Sequence, residues 1–209
     1  MDQKIKKIKS QITPKRIALV GALVSLASFL YKLSLGIIST SMILIVASIS
    51  TLLVFVCKFI FWKYMDDSKE TKKKCYLVMI ILALSFGVLF LLFATLKVGG
   101  IDTSHKNNFS GWLGYLFVCF VIVMFVLSII KLSDALQKTD ILVVGLKEMI
   151  FISALADAVI IQDFLYNVIE LYRKLPFMTF INSYFPIITS VIMLLVPILM
   201  FKRYRAYEI

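Results

Sequence analysis

Five charged or amide side chains interrupt one apolar segment of the sequence, residues 145–165. Lys147 and Glu148 lie near the start of this segment, Asp157 lies beyond its middle, and Gln162 and Asp163 lie near its end. Inside a membrane, such groups are costly unless they have partners or bind a proton, an ion or a polar solute. The segment therefore contains the first candidate binding residues of the chain.

A helical arrangement divides these residues into two groups. At 100° per residue, Glu148, Gln162 and Asp163 fall within one arc, together with apolar residues between them. Asp157 lies about 180° from Glu148, and Ser153 lies one turn away on the side of Asp157. The spacing therefore predicts one lone deep acid and a separate set of polar groups near the two helix ends.

Each deep acid needs a partner. Lys58 lies in another apolar segment at a similar depth from the same surface as Glu148, so we predict a Glu148–Lys58 pair. For Asp157, either Lys32 or Lys97 reaches it from the opposite surface, or the carboxyl group is protonated. The candidate binding residues are Asp157, Ser153, Glu148, Lys58, Gln162 and Asp163.

Asp157 is the residue for which we predict a function. It lies about 6 Å from the midpoint of its segment, at about 1.5 Å per residue. A charge at such a depth costs about 2.5–3.5 kcal/mol on insertion scales. The structural alternative is an acid that joins its helix to a neighbour, although hydrogen bonds in membranes contribute only about 0.6 kcal/mol on average.

The elements that must position these groups are long apolar segments. The 209 residues are 61% hydrophobic, with a mean hydropathy of +0.95. Six windows reach the roughly 20 residues that a spanning helix needs. They cover about 15–34, 40–62, 76–97, 112–131, 141–165 and 177–201. Because these windows are continuously apolar, they favour helices over a barrel. We predict an all-α bundle of six transmembrane helices in a single membrane domain, 1–209.

The net charge of +11 is distributed unevenly between the segments. If all six windows span, 16 of the 23 basic residues flank them on one side, while Lys97, Lys106, Arg173 and Lys174 lie on the other. The positive-inside rule then places both termini in the cytoplasm. The loops lack the mixture of aromatic and basic residues that single-stranded nucleic acid binding requires, so we predict no nucleic acid partner.

The sequence contains few residues that indicate catalysis or metal binding. His105 is the single histidine, and neither a phosphate-binding glycine loop nor a nucleophile elbow is present. The three cysteines, Cys57, Cys75 and Cys119, have no metal-ligand spacing. We therefore predict a protein that is not an enzyme and that has neither a metal site nor a cofactor.

The ends of two helices carry further signals. The basic N-terminal region before the first apolar window is typical of a signal peptide, but the apolar run continues past Ala27, which favours a retained helix. Thr13 and Pro14 are predicted to start that helix. Asp140 is predicted to cap the fifth helix.

Two stretches carry a resemblance to a group of proteins. "YKLSLGIISTSMILIVASISTLL" and "ALQKTDILVVGLKEMIFISALADAVIIQDFL" resemble small polytopic membrane proteins of low-GC Gram-positive bacteria, over about a quarter of the chain. The resemblance implies a bacterial inner membrane origin and no particular activity. The chain departs from that pattern at Asp157 and Asp163, where small or amide residues are expected.

Two functions are consistent with these features. The first is a small transporter, or the substrate-binding membrane subunit of one, that uses the polar residues of the fifth helix. The second is a non-catalytic accessory or regulatory protein that docks a partner through its basic cytoplasmic loops. The predicted partners are the lipid bilayer and either another protein or a second copy of the chain.

Overall fold

The described residues form six α-helices. A computed structural model describes residues 14–99, 112–137, 140–168 and 174–207. The helices, in chain order, are α1 (Pro14–Ile38), α2 (Met42–Tyr64), α3 (Lys69–Val98), α4 (Trp112–Leu136), α5 (Ile141–Val168) and α6 (Pro176–Ala206). The number and order of the predicted helices are confirmed. Thr13 and His105 lie outside the described residues.

The length and composition of four helices suit a membrane protein. Arg16–Ile38 of α1 and the whole of α2, α3 and α6 are long and apolar enough to cross a membrane. Their exposed side chains are largely Leu, Ile, Val and Phe, as a helix surface that faces lipid requires. The arrangement of six spans with cytoplasmic termini stays a prediction.

α5 is the central helix of the bundle. Among residues 141–167, every side chain is buried or half-buried, and α5 packs against α2, α3, α4 and α6. α1 lies at the periphery and packs on α2. Among the described residues, no Cα atom of α1 lies within 8 Å of a Cα atom of α5. The polar segment noted in the sequence is therefore surrounded mainly by protein.

Two glycines allow close helix contacts. A Cβ atom added at Gly145 of α5 would lie 2.6 Å from Cδ2 of Tyr76 in α3. A Cβ atom at Gly36 of α1 would lie 2.8 Å from Cγ1 of Ile45 in α2. Since a real side chain cannot approach so closely, glycine at these positions lets α5 approach α3 and lets α1 fold tightly onto α2.

Basic side chains lie together at one end of the bundle because of the directions in which the helices run. Lys58, near the end of α2, donates to the Gly21 carbonyl near the start of α1 at 3.0 Å. Lys73, near the start of α3, donates to the Tyr207 carbonyl after α6 at 2.7 Å. We call this end, where α1, α3 and α5 begin and α2, α4 and α6 end, the basic end.

Asp140 fixes the start of α5 at the basic end. Its Oδ1 accepts hydrogen bonds from the backbone N–H groups of Leu142 at 3.0 Å and Val143 at 3.4 Å. Its Oδ2 lies 2.7 Å from Nζ of Lys72 in α3. The predicted N-cap is confirmed, and it also joins α5 to α3.

Candidate functional site

The three acids inside α5 are all held by cations that other helices supply. Glu148, Asp157 and Asp163 follow one another along α5, separated by about 13 Å and 9 Å of helix rise. Each makes an ion pair with a lysine or an arginine. The three acids differ in their neighbours and in the exposed fraction of their side chains.

Glu148 lies in a buried cluster near the basic end. Its Oε1 pairs with Nη1 of Arg203 in α6, and its Oε2 accepts a hydrogen bond from the Tyr76 hydroxyl of α3 at 2.9 Å. The same Nη1 also lies 3.3 Å from the Tyr76 oxygen. Only 4% of the Glu148 side chain is exposed. This carboxylate joins α5 to α3 and α6 at once.

The predicted Glu148–Lys58 pair is wrong. Nζ of Lys58 instead donates to the Ser25 hydroxyl of α1 at 2.7 Å and to the Gly21 carbonyl. Both residues lie at the depth that the sequence indicated, but they point towards different helices. Two residues at the same depth in the bundle need not be neighbours. Arg203 reaches the Glu148 carboxylate because α6 continues to Ala206.

Asp163 forms the second buried pair, at the opposite end of α5. Its Oδ1 lies 2.6 Å from Nζ of Lys97 in α3, and 1% of its side chain is exposed. The Asn167 amide donates to the Asp163 backbone carbonyl at 2.9 Å and to Oδ2 at 3.2 Å. Glu148 contacts Tyr76 near the start of α3, and Asp163 contacts Lys97 near its end. Because the contacts follow the same order along both helices, α3 and α5 run parallel.

Asp157 has a different environment from the other two acids. Its Oδ1 lies 2.6 Å from Nζ of Lys32 in α1, which confirms one of the partners predicted for it. The Lys32 ammonium also donates to the Thr51 hydroxyl of α2 at 3.1 Å. On the same side of α5, the hydroxyls of Ser153 and Ser50 lie 3.0 Å apart. Asp157 therefore lies at the junction of α1, α2 and α5.

The exposure of its acid distinguishes this junction from the other two clusters. One fifth of the Asp157 side chain is exposed, against 4% for Glu148 and 1% for Asp163. Within the described residues, no hydrogen bond or ion pair reaches Oδ2 of Asp157. A carboxylate oxygen with accessible surface can accept a proton or a cation.

The structure places the six sequence-predicted site residues in separate regions. Asp157 and Ser153 lie at the α1–α2–α5 junction, whereas Glu148, Asp163 and Lys58 each belong to a different cluster. Gln162 is half-buried near the end of α5. Sequence reasoning missed Arg203, Tyr76, Thr51 and Ser50 as members of these clusters. The helical periodicity of α2, α3 and α6 is the sequence signal from which these residues could have been identified.

Among the described residues, no group of three His, Cys, Asp or Glu side chains is placed to hold a metal ion. The three cysteines are free thiols.

The chain matches no protein family, no curated protein and no solved structure.

The correction to the Glu148 pairing has a measurable consequence. We expect Glu148→Gln and Arg203→Gln each to lower the stability of the detergent-solubilised protein, because each leaves a buried or half-buried group without its partner. The double variant should lose less than the sum of the two, with a coupling energy of about 0.5–3 kcal/mol. Thermal unfolding of the four proteins measures this coupling.

Lys58→Gln is the matched control for this cycle. Its effect should add to that of Glu148→Gln, because Lys58 contacts Ser25 and Gly21 instead. Additivity between positions 148 and 203, together with coupling between 148 and 58, would contradict the arrangement described above.

Proposed function

We propose that this protein is a small membrane transporter, or the substrate-binding membrane subunit of one, in which protonation of Asp157 opens the junction of α1, α2 and α5. The observation that carries this proposal is the accessible Lys32–Asp157 pair. It joins α1 to α5, two helices whose described Cα atoms do not approach within 8 Å of each other. The connection between them therefore depends on a group that can gain or lose a proton.

The chemistry of the junction supports a reversible contact. A proton on Asp157 removes the charge that attracts the Lys32 ammonium, while the Thr51 hydroxyl at 3.1 Å remains as a neutral acceptor. The hydroxyls of Ser50 and Ser153 lie on the same side of α5 and are already paired with each other. Together with Lys32 and Asp157, these hydroxyls make the junction a polar region inside the bundle.

The surroundings of the other two acids of α5 indicate a structural role for both. Glu148 and Asp163 are almost completely buried, and their cations come from α6 and α3, helices that also pack directly against α5. Breaking either pair would leave that packing in place. Asp157 is the acid whose pairing and release can move one helix relative to another.

The alternative is an accessory protein that docks a partner through its basic loops. The lysines near the start of α3 offer this role limited support. Lys72 pairs with Asp140, and Lys73 donates to the Tyr207 carbonyl. These cations hold helix ends together at the basic end, which reduces the charge that they present to a partner.

We also propose a location and a topology. All six helices cross the bacterial inner membrane, with both termini and the basic end on the cytoplasmic side. In a cysteine-free background, a cysteine at position 106 should be labelled by an impermeant maleimide in intact cells. A cysteine at position 72 should be labelled only after the cells are opened. The reverse pattern would contradict this orientation.

Proton flux tests the proposed role of Asp157. We expect liposomes that contain the protein and an enclosed pH-sensitive dye to show proton entry above that of protein-free liposomes. Asp157→Asn should reduce this flux to the protein-free level, because the amide cannot titrate. The paired variant Lys32→Gln/Asp157→Asn should also lack flux, while its unfolding temperature stays closer to that of the wild type than does that of Asp157→Asn.

Asp140→Asn, at the N-cap of the same helix, is the matched control. Asparagine keeps the N-cap of α5 and removes the same charge, so this variant should retain the wild-type flux. Wild-type flux in Asp157→Asn would end the proposal, as would a wild-type protein that conducts no more than empty liposomes.

A further inference from the structure

The ammonium group of Lys32 is held by acceptors on two other helices. Its Nζ lies 2.6 Å from Oδ1 of Asp157 in α5 and donates to the Thr51 hydroxyl of α2 at 3.1 Å. Within the described part of the chain, it makes no other hydrogen bond or ion pair. A carboxylate and a hydroxyl from separate helices therefore hold a primary ammonium, as they would hold that of a bound ligand.

Lys32 does not use all the hydrogen-bonding capacity of this site. An ammonium has three donors, of which Lys32 uses two, and a carboxylate accepts on both oxygens. Oδ2 of Asp157 receives no hydrogen bond or ion pair from the described residues. The Lys32 ammonium is attached to α1, and this attachment restricts its orientation. An ammonium that is not attached to the chain can turn to donate to Oδ2 as well, so it can replace both contacts of Lys32 and add a third.

Charge and donor number define the class of ligand that can take this place. The ligand must be a cation, because the Asp157 carboxylate would otherwise lose its compensation inside the bundle. It must also carry N–H donors, because the acceptors lie at hydrogen-bonding distances of 2.6 and 3.1 Å from the nitrogen. A quaternary ammonium has no N–H group, and its methyl groups keep the nitrogen farther from the oxygens. A primary ammonium meets both requirements.

Lys32 itself can leave the site at little cost to the rest of the bundle. It lies about 9 Å before the end of α1 at Ile38, and lysine side chains near helix ends extend to the polar boundary of a membrane. Among the described helices, α1 packs on α2 alone. A displaced Lys32 therefore leaves the packing of α3, α5 and α6 in place, while the incoming ammonium compensates Asp157.

We propose that Lys32 occupies a binding site for primary ammonium compounds, in which both carboxylate oxygens of Asp157 and the Thr51 hydroxyl accept from the ligand. Lys32 fills this site in the resting protein, and a solute with a primary ammonium group displaces it. That this solute is the transported substrate rests on the proposed function. The binding site itself follows from the contacts of Lys32 and does not depend on transport.

Replacement of the lysine side chain by a free amine tests this site. Lys32→Ala removes the atoms that propylamine supplies, and the full-length variant is unfolded thermally in phosphatidylcholine nanodiscs with increasing propylammonium chloride. We expect propylammonium to raise the unfolding temperature of Lys32→Ala. Its apparent affinity should be about tenfold higher than for the wild type, because in the wild type the amine must displace Lys32. Tetramethylammonium chloride at the same concentration should not stabilise the variant. Equal stabilisation by the two salts would overturn the proposal.

Two variants show whether the amine binds at Asp157. Lys32→Ala/Asp157→Asn should not respond to propylammonium, because it lacks the carboxylate. Lys97→Ala is the matched control, since it removes the same atoms beside Asp163, whose side chain is 1% exposed against 20% for Asp157. This variant should not respond either. Equal stabilisation of Lys32→Ala and Lys97→Ala would show that any vacated lysine position takes up an amine, and would overturn the assignment of a particular site.

Poor folding of Lys32→Ala does not prevent the test. In that case the variant is purified in propylammonium chloride and, separately, in the same concentration of tetramethylammonium chloride. A higher yield of folded protein in propylammonium is the expected result, and equal yields would contradict the site.

Amine binding and proton flux are separate measurements, so they distinguish this site from the proposed function. Proton flux through the wild type without stabilisation of Lys32→Ala by propylammonium would overturn the ammonium site and leave the role of Asp157 in transport standing. Stabilisation by propylammonium in a protein that conducts no protons would support the ammonium site and end the transport proposal.

Discussion

Charge compensation around α5 is the constraint on which this fold depends. A charged group inside a membrane is tolerated when it is paired or lines a polar region. α5 carries three acids, and their cations come from α1, α3 and α6. A helix with this requirement has to lie at the centre, since only there can several neighbours reach it. The segment that looked least suited to a membrane is therefore the one most completely enclosed by protein.

The same pairs define which helices hold their positions firmly. Buried ion pairs add little net stability, because desolvation offsets much of the attraction, but breaking one by removing a single partner costs about 3–5 kcal/mol. They therefore specify arrangement more than they add stability. Glu148 and Asp163 fix α3 and α6 against α5 where apolar packing also acts. α1 has packing with α2 alone among the described helices, and its link to α5 is the Lys32–Asp157 pair.

Sequence periodicity predicts much of this arrangement. The apolar windows predict six helices in the observed order, and Asp140 predicts the start of α5. The helical wheel places Asp157 opposite Glu148, and the structure agrees, since Glu148 and Asp163 contact α3 while Asp157 faces α1 and α2. These features depend on local spacing within one segment, which the sequence records directly.

The choice of partners depends on how the helices are arranged around one another, and here the sequence predicts less. Lys58 matches Glu148 in depth, yet Arg203 is the partner, because α6 and α3 lie on the Glu148 side of α5 whereas Lys58 points to α1. The sequence predicts Lys32 among the partners of Asp157, with Lys97 and a protonated carboxyl group as alternatives. Lys97 in fact pairs with Asp163. Depth narrows the choice of partner, and lateral packing decides it.

A charge-swap experiment tests the central claim, that α1 is joined to α5 through Lys32 and Asp157. Lys32→Asp places two carboxylates together, and Asp157→Lys places two ammonium groups together, so each single variant should unfold at a clearly lower temperature than the wild type. The double swap restores an ion pair at the same place. It should recover most of the lost unfolding temperature. A double variant no more stable than the weaker single variant would contradict a direct contact between these two residues.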